Sequence, residues 1–307
     1  MNDYKKPTWY ILGAGAMGSL WASYYRLAGF SVVLIVKKPH SQTLLTLKNG
    51  VGSHQLSVSY KTIEQLNEGI QYLLVSTKAQ QTESAISRIK PHLDKHASVL
   101  VMQNGLAAQQ LPHQLPTQKL FAAVTTEGAY RSDFNTVVHA GVGRTLIGSV
   151  DASLDVTNSE YLIQRLPQEF LTIESCKNIN QQQWKKLALN CVINGLTAIH
   201  RCRNGELLTI DEAHQQMKIL CEETFHIIDS LDIVIACSAR SLYEDVRSVC
   251  TVTAENFSSM HQDISHNRTT EIDFINGFLC EQADKIAVNC RENRNIVKKI
   301  KQLEMTR

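Results

Sequence analysis

The chain has 307 residues, of which 43% are hydrophobic and 20% charged, and its formal net charge is +2. These values are typical of a soluble globular protein of two domains, and they give no reason to expect a nucleic-acid or membrane partner. The eight cysteines include no C-x-x-C pair, so we expect free thiols in the cytoplasm and no metal site. Residues 8–25 are uncharged but contain three glycines and are too short to span a membrane.

Short apolar runs alternate with helical segments in the first part of the chain. We predict strands at residues 8–12, 31–36, 72–76 and 98–102, and helices that include residues 17–28 and 81–89. This alternation predicts a parallel sheet covered on both faces. Further strands at residues 120–126, 136–139, 144–148 and 171–174 are expected to extend the sheet, with a helix around residues 160–166.

The second part of the chain differs in composition. All six prolines and twelve of the fifteen glycines lie at or before Pro167, and a stretch so poor in both residues favours long helices. We therefore predict an α/β fold in two domains. Residues 1–176 would form a Rossmann-type, doubly wound dinucleotide-binding domain, and residues 177–307 an all-helical domain for substrate binding and catalysis.

A glycine-rich turn follows the first predicted strand and opens the first predicted helix. It matches G-x-G-x-x-G with Gly13, Ala14, Gly15, Ala16, Met17 and Gly18. In this context the first glycine makes the turn, the second admits a pyrophosphate and the third lets the helix pack on the strand. The match predicts dinucleotide binding, and an ordinary glycine-rich turn is the alternative.

The end of the second predicted strand bears on the choice of dinucleotide. An NAD site normally has an acid about 20 residues after the glycines, where it binds the adenosine ribose. Residues 4–63 contain no acid, and Lys37 and Lys38 follow the strand where a 2′-phosphate would lie. The pattern favours NADP(H). The absence of an acid is stronger evidence for NADP(H) than the two lysines are, because lysines are common on protein surfaces.

Lys78 and Asn104 follow two further predicted strands. Ligands of open α/β sheets bind at the carboxyl ends of the strands, so both side chains are candidates for the same site. Simple turn chemistry is the alternative, since Asn-Gly is a common turn dipeptide.

A polar stripe runs along an otherwise apolar helix predicted at residues 184–199. Lys186, Asn190 and Asn194 are four residues apart, and Thr197 lies beside them. A helix that is apolar nearly all round is usually buried, and a buried lysine with two asparagines needs polar partners. The stripe is therefore predicted to face a polar cavity, with contact to bulk water as the alternative.

With these motifs the chain resembles the ketopantoate reductase family, within the wider group of 6-phosphogluconate dehydrogenase-like enzymes. Its most specific stretches are WKKLALNCVINGLTAI with CRNGEL, and AENFSSMHQDI with TEIDFINGF; GAGAMG, STKA and QNG add to them. The resemblance covers nearly the whole length. It implies an NADPH-dependent oxidoreductase that converts 2-dehydropantoate to pantoate in pantothenate and coenzyme A biosynthesis. We expect a monomer or a homodimer.

The resemblance also implies roles for particular residues. Lys186 would donate the proton to the carbonyl oxygen, and Glu271 would border the nicotinamide and the substrate. Asn104 would meet both cofactor and substrate. The other substrate ligands would be Asn190, Asn194, Asn204 and Ser259, and the other cofactor contacts Lys37, Lys78, Gln81 and Ala129.

This assignment agrees with the chemistry of ketone reduction. Negative charge develops on the oxygen, so a cation there stabilises the transition state and supplies the proton. A carboxylate at Glu271 would help to keep a buried Lys186 charged. The alternative for Glu271 is an ordinary acid on a helix surface.

We place a turn near residues 265–270 and predict that Thr269 caps a helix beginning at Glu271.

Two positions depart from the family pattern. Gly195 stands where a proline often follows the second asparagine of the stripe, which leaves the local helix geometry open. Lys37 stands where an arginine is common, which predicts a point-charge contact to phosphate in place of a bidentate one.

Two other functions stay open from the sequence. One is reduction of another short or branched 2-keto acid, and the other is non-catalytic sensing of NADP. The presence of Lys186, Asn104 and Glu271 counts against the second.

Overall fold

The computed structural model describes residues 6–306 apart from residues 40, 42, 68, 152, 153, 155 and 237. Its internal contacts divide the chain into two compact units. Unit 1 comprises Met1–Gln103 and Ala107–Ile179, and unit 2 comprises Asn104–Leu106 and Asn180–Arg307. The division falls three residues after the boundary predicted at Cys176, and it assigns the short segment Asn104–Leu106 to the second unit.

Unit 1 is built on two sheets. Its strands are β1 Thr8–Leu12, β2 Ser31–Ile35, β3 Leu44–Asn49, β4 Gly52–Ser57, β5 Ser59–Lys61, β6 Ile70–Val75, β7 Leu93–Met102, β8 Lys119–Thr125, β9 Gly128–Asp133, β10 Thr136–Gly141, β11 Thr145–Ser149 and β12 Ile173–Ser175. Its helices are α1 Ala16–Leu27, α2 Ala79–Ile89, α3 Ala107–Gln110 and α4 Val156–Ile163.

The larger sheet has the strand order β12-β11-β8-β7-β6-β1-β2-β5. All of its neighbours pair in parallel except β8 and β11, which are antiparallel. The fold class predicted from the sequence is thereby confirmed. The central strands are almost fully buried, because helices and loops cover both faces of the sheet.

The smaller sheet, in the order β4-β3-β10-β9, was not predicted as a separate sheet. The strand expected at residues 136–139 was wrongly placed in the larger sheet, because β10 pairs with β9 and β3 instead. Helix α1 shares one core with both sheets: Trp21 of the helix, Leu34 of β2 and Leu47 of β3 are all fully buried within it.

Unit 2 is helical, as predicted. Its helices are α5 Ile179–His200, α6 Asp211–Asp229, α7 Ala239–Val252, α8 Ser259–Ser265, α9 Asn276–Lys285 and α10 Arg291–Met305. Buried residues from α5, α6, α7 and α9 form its core, together with Ile296 and Ile300 of α10. Among the described residues, no helix has the length and apolar character needed to cross a membrane.

Two local predictions concern the segment after α8 and the cysteines. The predicted turn follows α8. The helix expected at Glu271 was wrong, because only a short 3-10 helix forms there, at Ile272–Phe274. The hydroxyl that accepts the Ile272 N–H belongs to Thr270 and not, as predicted, to Thr269. Seven cysteines are free thiols; Cys237, the eighth, lies outside the described residues.

Candidate active site

The turn between β1 and α1 has the close packing that the glycine fingerprint requires. Gly13 has φ +111°, and a side chain at Gly18 would collide with the Gly13 carbonyl oxygen. Ser76 donates its hydroxyl to that same carbonyl at 2.8 Å. In contrast, a Cβ at Gly15 would meet no atom of the described residues within 4 Å. The fold itself therefore needs the outer two glycines, whereas the middle one leaves open space at the N-terminus of α1 for a phosphate.

The carboxyl ends of the central strands lie side by side at this turn. Leu12 pairs with Ile35 of β2 and with Val75 of β6, and Val75 pairs with Val101 of β7. The parallel register therefore brings the predicted cofactor-binding segments of unit 1 to one edge of the sheet.

The residues assigned to the cofactor in unit 1 occupy this edge or the smaller sheet. Lys37 and Lys38 are exposed just after β2. Lys78 is partly buried at the N-cap of α2, and Gln81 is exposed in the first turn of that helix. Ala129 lies on β9, where it pairs with His139 and packs against the core.

Asn104 and Glu271 are joined within unit 2. The side-chain amide Nδ2 of Asn104 donates to Glu271 Oε2 at 3.0 Å. The next residue, Gly105, has φ +82°, and a Cβ there would lie 2.8 Å from the backbone oxygen of Phe274. A glycine at position 105 thus lets the segment approach the 3-10 turn that follows Glu271.

The polar stripe on α5 contains a lysine with an altered pKa. Lys186 and Asn190 are partly exposed, whereas Asn194 is only 6% exposed and Thr197 is fully buried. Burial of the amine lowers the pKa of Lys186 from 10.5 to about 8, and the negative charge of Glu271 opposes that shift. Lys186 is therefore an acid that gives up its proton near neutral pH.

Asn204 presents a buried oxygen without a partner. Its Nδ2 donates to Thr253 Oγ1 at 2.9 Å, and the Thr253 hydroxyl donates to the Val249 carbonyl at 2.6 Å. Because that hydroxyl proton is already used, Thr253 Oγ1 must accept, which fixes the orientation of the Asn204 amide. Asn204 Oδ1 is buried and has no hydrogen-bond partner among the described residues.

The position of Ser259 is set by its neighbour. Ser258 is the N-cap of α8 and accepts the His261 N–H at 3.1 Å, while its hydroxyl lies 2.7 Å from that of Thr197 on α5. Ser259 is the first helical residue and is exposed. The polar stripe of α5 and the candidate substrate residue on α8 are thus linked through two buried hydroxyls.

A second link was not predicted from the sequence. Asn276, which is fully buried, donates from Nδ2 to the backbone oxygen of Cys191 on α5 at 2.8 Å and to Asn293 Oδ1 at 2.9 Å. Asn293 in turn donates to Glu223 Oε1 at 2.9 Å. This network holds the segment after Glu271 against the helix that contains Lys186. An Asn-Gly pair at positions 276 and 277 resembles a turn in the sequence and does not reveal the role.

The unusual Gly195 has a packing reason. Helix α5 runs without interruption through this position, and a Cβ on Gly195 would collide with Cγ2 of Ile296 on α10. The glycine therefore lets α10 pack closely on α5.

Comparison with known proteins places the chain in a family. The profile described as "Ketopantoate reductase PanE/ApbA" matches residues 9–152, and "Ketopantoate reductase PanE/ApbA C terminal" matches residues 178–304. The 2-dehydropantoate 2-reductase of Vibrio cholerae is 32% identical over 96% of this chain and 97% of that protein. That of Escherichia coli O157:H7 is 33% identical over 96% and 94%.

A solved structure agrees with these sequence matches. The ketopantoate reductase of Ralstonia eutropha JMP134 is 26% identical and superimposes with a TM-score of 0.88, covering 97% of this chain and 99% of that one. A Rossmann-type unit with a dinucleotide fingerprint, followed by a helical unit with a lysine-centred polar site, is the architecture of a two-domain oxidoreductase. The chain belongs to the ketopantoate reductase family.

Proposed function

We propose that this protein reduces 2-dehydropantoate to pantoate with NADPH, with Lys186 as the proton donor. The observation that supports this most directly is the partly buried Lys186, whose pKa is lowered to about 8 beside the carboxylate of Glu271. A general acid works best when its pKa lies near the operating pH. When bound, NADPH supplies a hydride to the keto carbon.

Lys186 then acts on the oxygen of the same carbonyl. Its ammonium group stabilises the negative charge that develops there and transfers a proton from Nζ to give the alcohol. Glu271 keeps a larger fraction of Lys186 protonated, because its charge raises the lysine pKa. Asn104 orients that carboxylate through its 3.0 Å hydrogen bond.

The unpartnered oxygen of Asn204 favours a substrate with a hydroxyl group. An amide oxygen accepts hydrogen bonds and therefore needs a donor on the ligand. In 2-dehydropantoate the carboxylate and the ketone have no proton to give, so only the hydroxymethyl group fills this role. We assign Asn204 Oδ1 to that hydroxyl, and Asn190, Asn194 and Ser259 to the remaining polar groups of the substrate.

The preference for NADPH rests on the end of β2. Lys37 and Lys38 are exposed there, and residues 4–63 contain no acid to bind an unphosphorylated ribose. The open space at Gly15 fits a pyrophosphate at the N-terminus of α1.

The proposal is tested by following NADPH absorbance with 2-dehydropantoate and with 3,3-dimethyl-2-oxobutanoate, in which a methyl group replaces the hydroxymethyl group. We expect kcat/KM to favour 2-dehydropantoate by about 10- to 100-fold, because an unsatisfied buried oxygen costs ~1–3 kcal/mol. Asn204→Ala should remove most of this preference. Pyruvate, a short 2-keto acid without the branched carbon, is the third substrate tested.

Each outcome has a distinct meaning. Equal kcat/KM for the two branched substrates would contradict the assignment of the hydroxyl group to Asn204. Faster turnover of pyruvate would identify a different 2-keto acid reductase. Binding of NADPH without reduction of any 2-keto acid would contradict the enzymatic function.

A further inference from the structure

Arg131 brings a guanidinium group to the glycine-rich turn. It lies on β9 of unit 1, and its Nη1 donates to the backbone oxygen of Ala14 at 2.7 Å. Its Nε donates to the backbone oxygen of Asp133 at 3.3 Å, and its Cζ lies 4.8 Å from the centre of the Phe134 ring. These contacts hold the guanidinium in one place, while Nη2 has no hydrogen-bond partner in the described part of the chain.

The same turn adjoins the end of β2. Gly13 N–H points to the carbonyl of Ile35 at 3.4 Å, and Ile35 is two residues before Lys37. Tyr60, whose pKa is raised by burial and lowered by the charge of Arg131, pairs through β5 with Leu34 of β2. Arg131 is thus close to groups on both sides of the strand end where an adenosine ribose binds.

The charge of Arg131 is only weakly compensated by the protein. The charge of Asp133 acts on Arg131, but the Asp133 carboxylate is exposed, accepts the Asn135 N–H at 2.8 Å and is also attracted by Lys48. Arg131 forms no ion pair with the described residues and is partly buried. A partly buried cation without a paired anion favours an anionic ligand.

We propose that Arg131 binds the 2′-phosphate of NADP(H) and supplies, from the smaller sheet, the guanidinium contact that is missing at position 37. Lys37 offers a point charge on a flexible stem, whereas the guanidinium of Arg131 is held in place by its two backbone contacts and keeps Nη2 as a donor for a phosphate oxygen. This inference rests on the NADPH preference proposed above and adds a residue to it.

The test compares two probes that differ only in that phosphate, adenosine 2′,5′-bisphosphate and 5′-AMP. Their dissociation constants are measured by calorimetry with the parent protein, Arg131→Met, Arg131→Lys and the control Arg144→Met, an exposed arginine of the same unit. We expect Arg131→Met to weaken bisphosphate binding by about 10- to 100-fold, the value of a charge-assisted hydrogen bond, and to leave 5′-AMP binding unchanged. Arg131→Lys should fall between, and Arg144→Met should match the parent.

Two results would overturn the proposal. Equal weakening of both probes by Arg131→Met and Arg131→Lys would mean that Arg131 supports the turn or the 5′-phosphate. Unchanged binding of both probes would exclude any contact. If the parent itself binds the two probes equally, the proposed NADPH preference is wrong. If the parent prefers the bisphosphate over 5′-AMP and the Arg131 variants keep the same preference, only the role of Arg131 is wrong. Thermal melting of each variant shows that the comparison is made on folded protein.

Discussion

Asn104 and Glu271 are 167 residues apart in the chain, yet the amide of the first donates to the carboxylate of the second at 3.0 Å. The carboxylate held in this way is the group that raises the pKa of Lys186 against the effect of burial. Asn104 and Glu271, both in unit 2, therefore act on the same lysine.

The pH dependence of the reaction should report this lysine. In the proposed mechanism protonated Lys186 is the donor, so kcat/KM for reduction should be level at low pH and fall above about 8. Glu271→Gln removes the charge that raises the pKa, and the fall should then begin at a lower pH. Asp273→Asn is the control, because Asp273 is exposed and paired with Lys301. An unchanged profile for Glu271→Gln would leave Glu271 with only a binding or structural role.

Cofactor choice should respond to the charge at position 37. Lys37→Glu is expected to reduce kcat/KM with NADPH by about 10- to 100-fold and to affect NADH much less, because it replaces an attraction to phosphate by a repulsion. Lys95→Glu makes the same change in charge on an exposed part of β7 before its buried segment and should have no effect. A parent protein that uses NADPH and NADH equally well would rule out the preference.

The neighbouring serines of α8 should have separable roles. Ser258→Ala removes the N-cap and is expected to lower the free energy of unfolding by about 1 kcal/mol. Ser259→Ala should leave stability unchanged and raise the substrate KM with little change in kcat, because it removes binding common to ground and transition states. Denaturant unfolding and steady-state kinetics measure the two effects. A Ser259→Ala variant with the parental KM would remove Ser259 from the substrate site.

The effect of Gly195→Ala on stability should change sign when the residue that packs against Gly195 is made smaller. In the parent, Gly195→Ala should destabilise unit 2, because overpacking against Ile296 costs about 1–3 kcal/mol and outweighs the helix propensity of alanine. In an Ile296→Ala background the same substitution should stabilise the protein by up to ~1 kcal/mol. Urea unfolding of the four proteins gives the coupling directly. Stabilisation by Gly195→Ala in both backgrounds would refute the packing argument.

Local patterns in the sequence were sufficient to predict the strands that are continuous apolar runs. The central strands β1 and β2 are continuous apolar runs, and the predicted limits agree with the structure to within one residue. Strands β4 and β5 are mostly exposed or half-buried, so their sequences show no clear period, and both were missed. The short run at residues 136–139 identified β10 as a strand but could not specify which neighbour it pairs with.

The site shows the same limit. Lys186, Asn190 and Asn194 were found because helical spacing alone puts them in one stripe. The hydrogen bonds of Asn276 with Cys191, of Thr197 with Ser258 and of Arg131 with Ala14 each join residues more than 60 positions apart, and no local pattern encodes them. The roles of Asn104 and Glu271 came from family resemblance rather than from periodicity, and their hydrogen bond adds a physical reason for the pairing.

The turnover of 2-dehydropantoate by Lys186→Met with saturating NADPH directly measures the contribution of the proposed proton donor. We expect kcat to fall by about 10²–10⁴, the usual contribution of a general acid, while NADPH binding and the melting temperature stay near those of the parent. Lys185→Met is the matched control, since Lys185 is the adjacent lysine and pairs with Asp245 at 2.8 Å. A folded Lys186→Met protein that keeps the parental kcat would contradict the assignment of Lys186 as the proton donor.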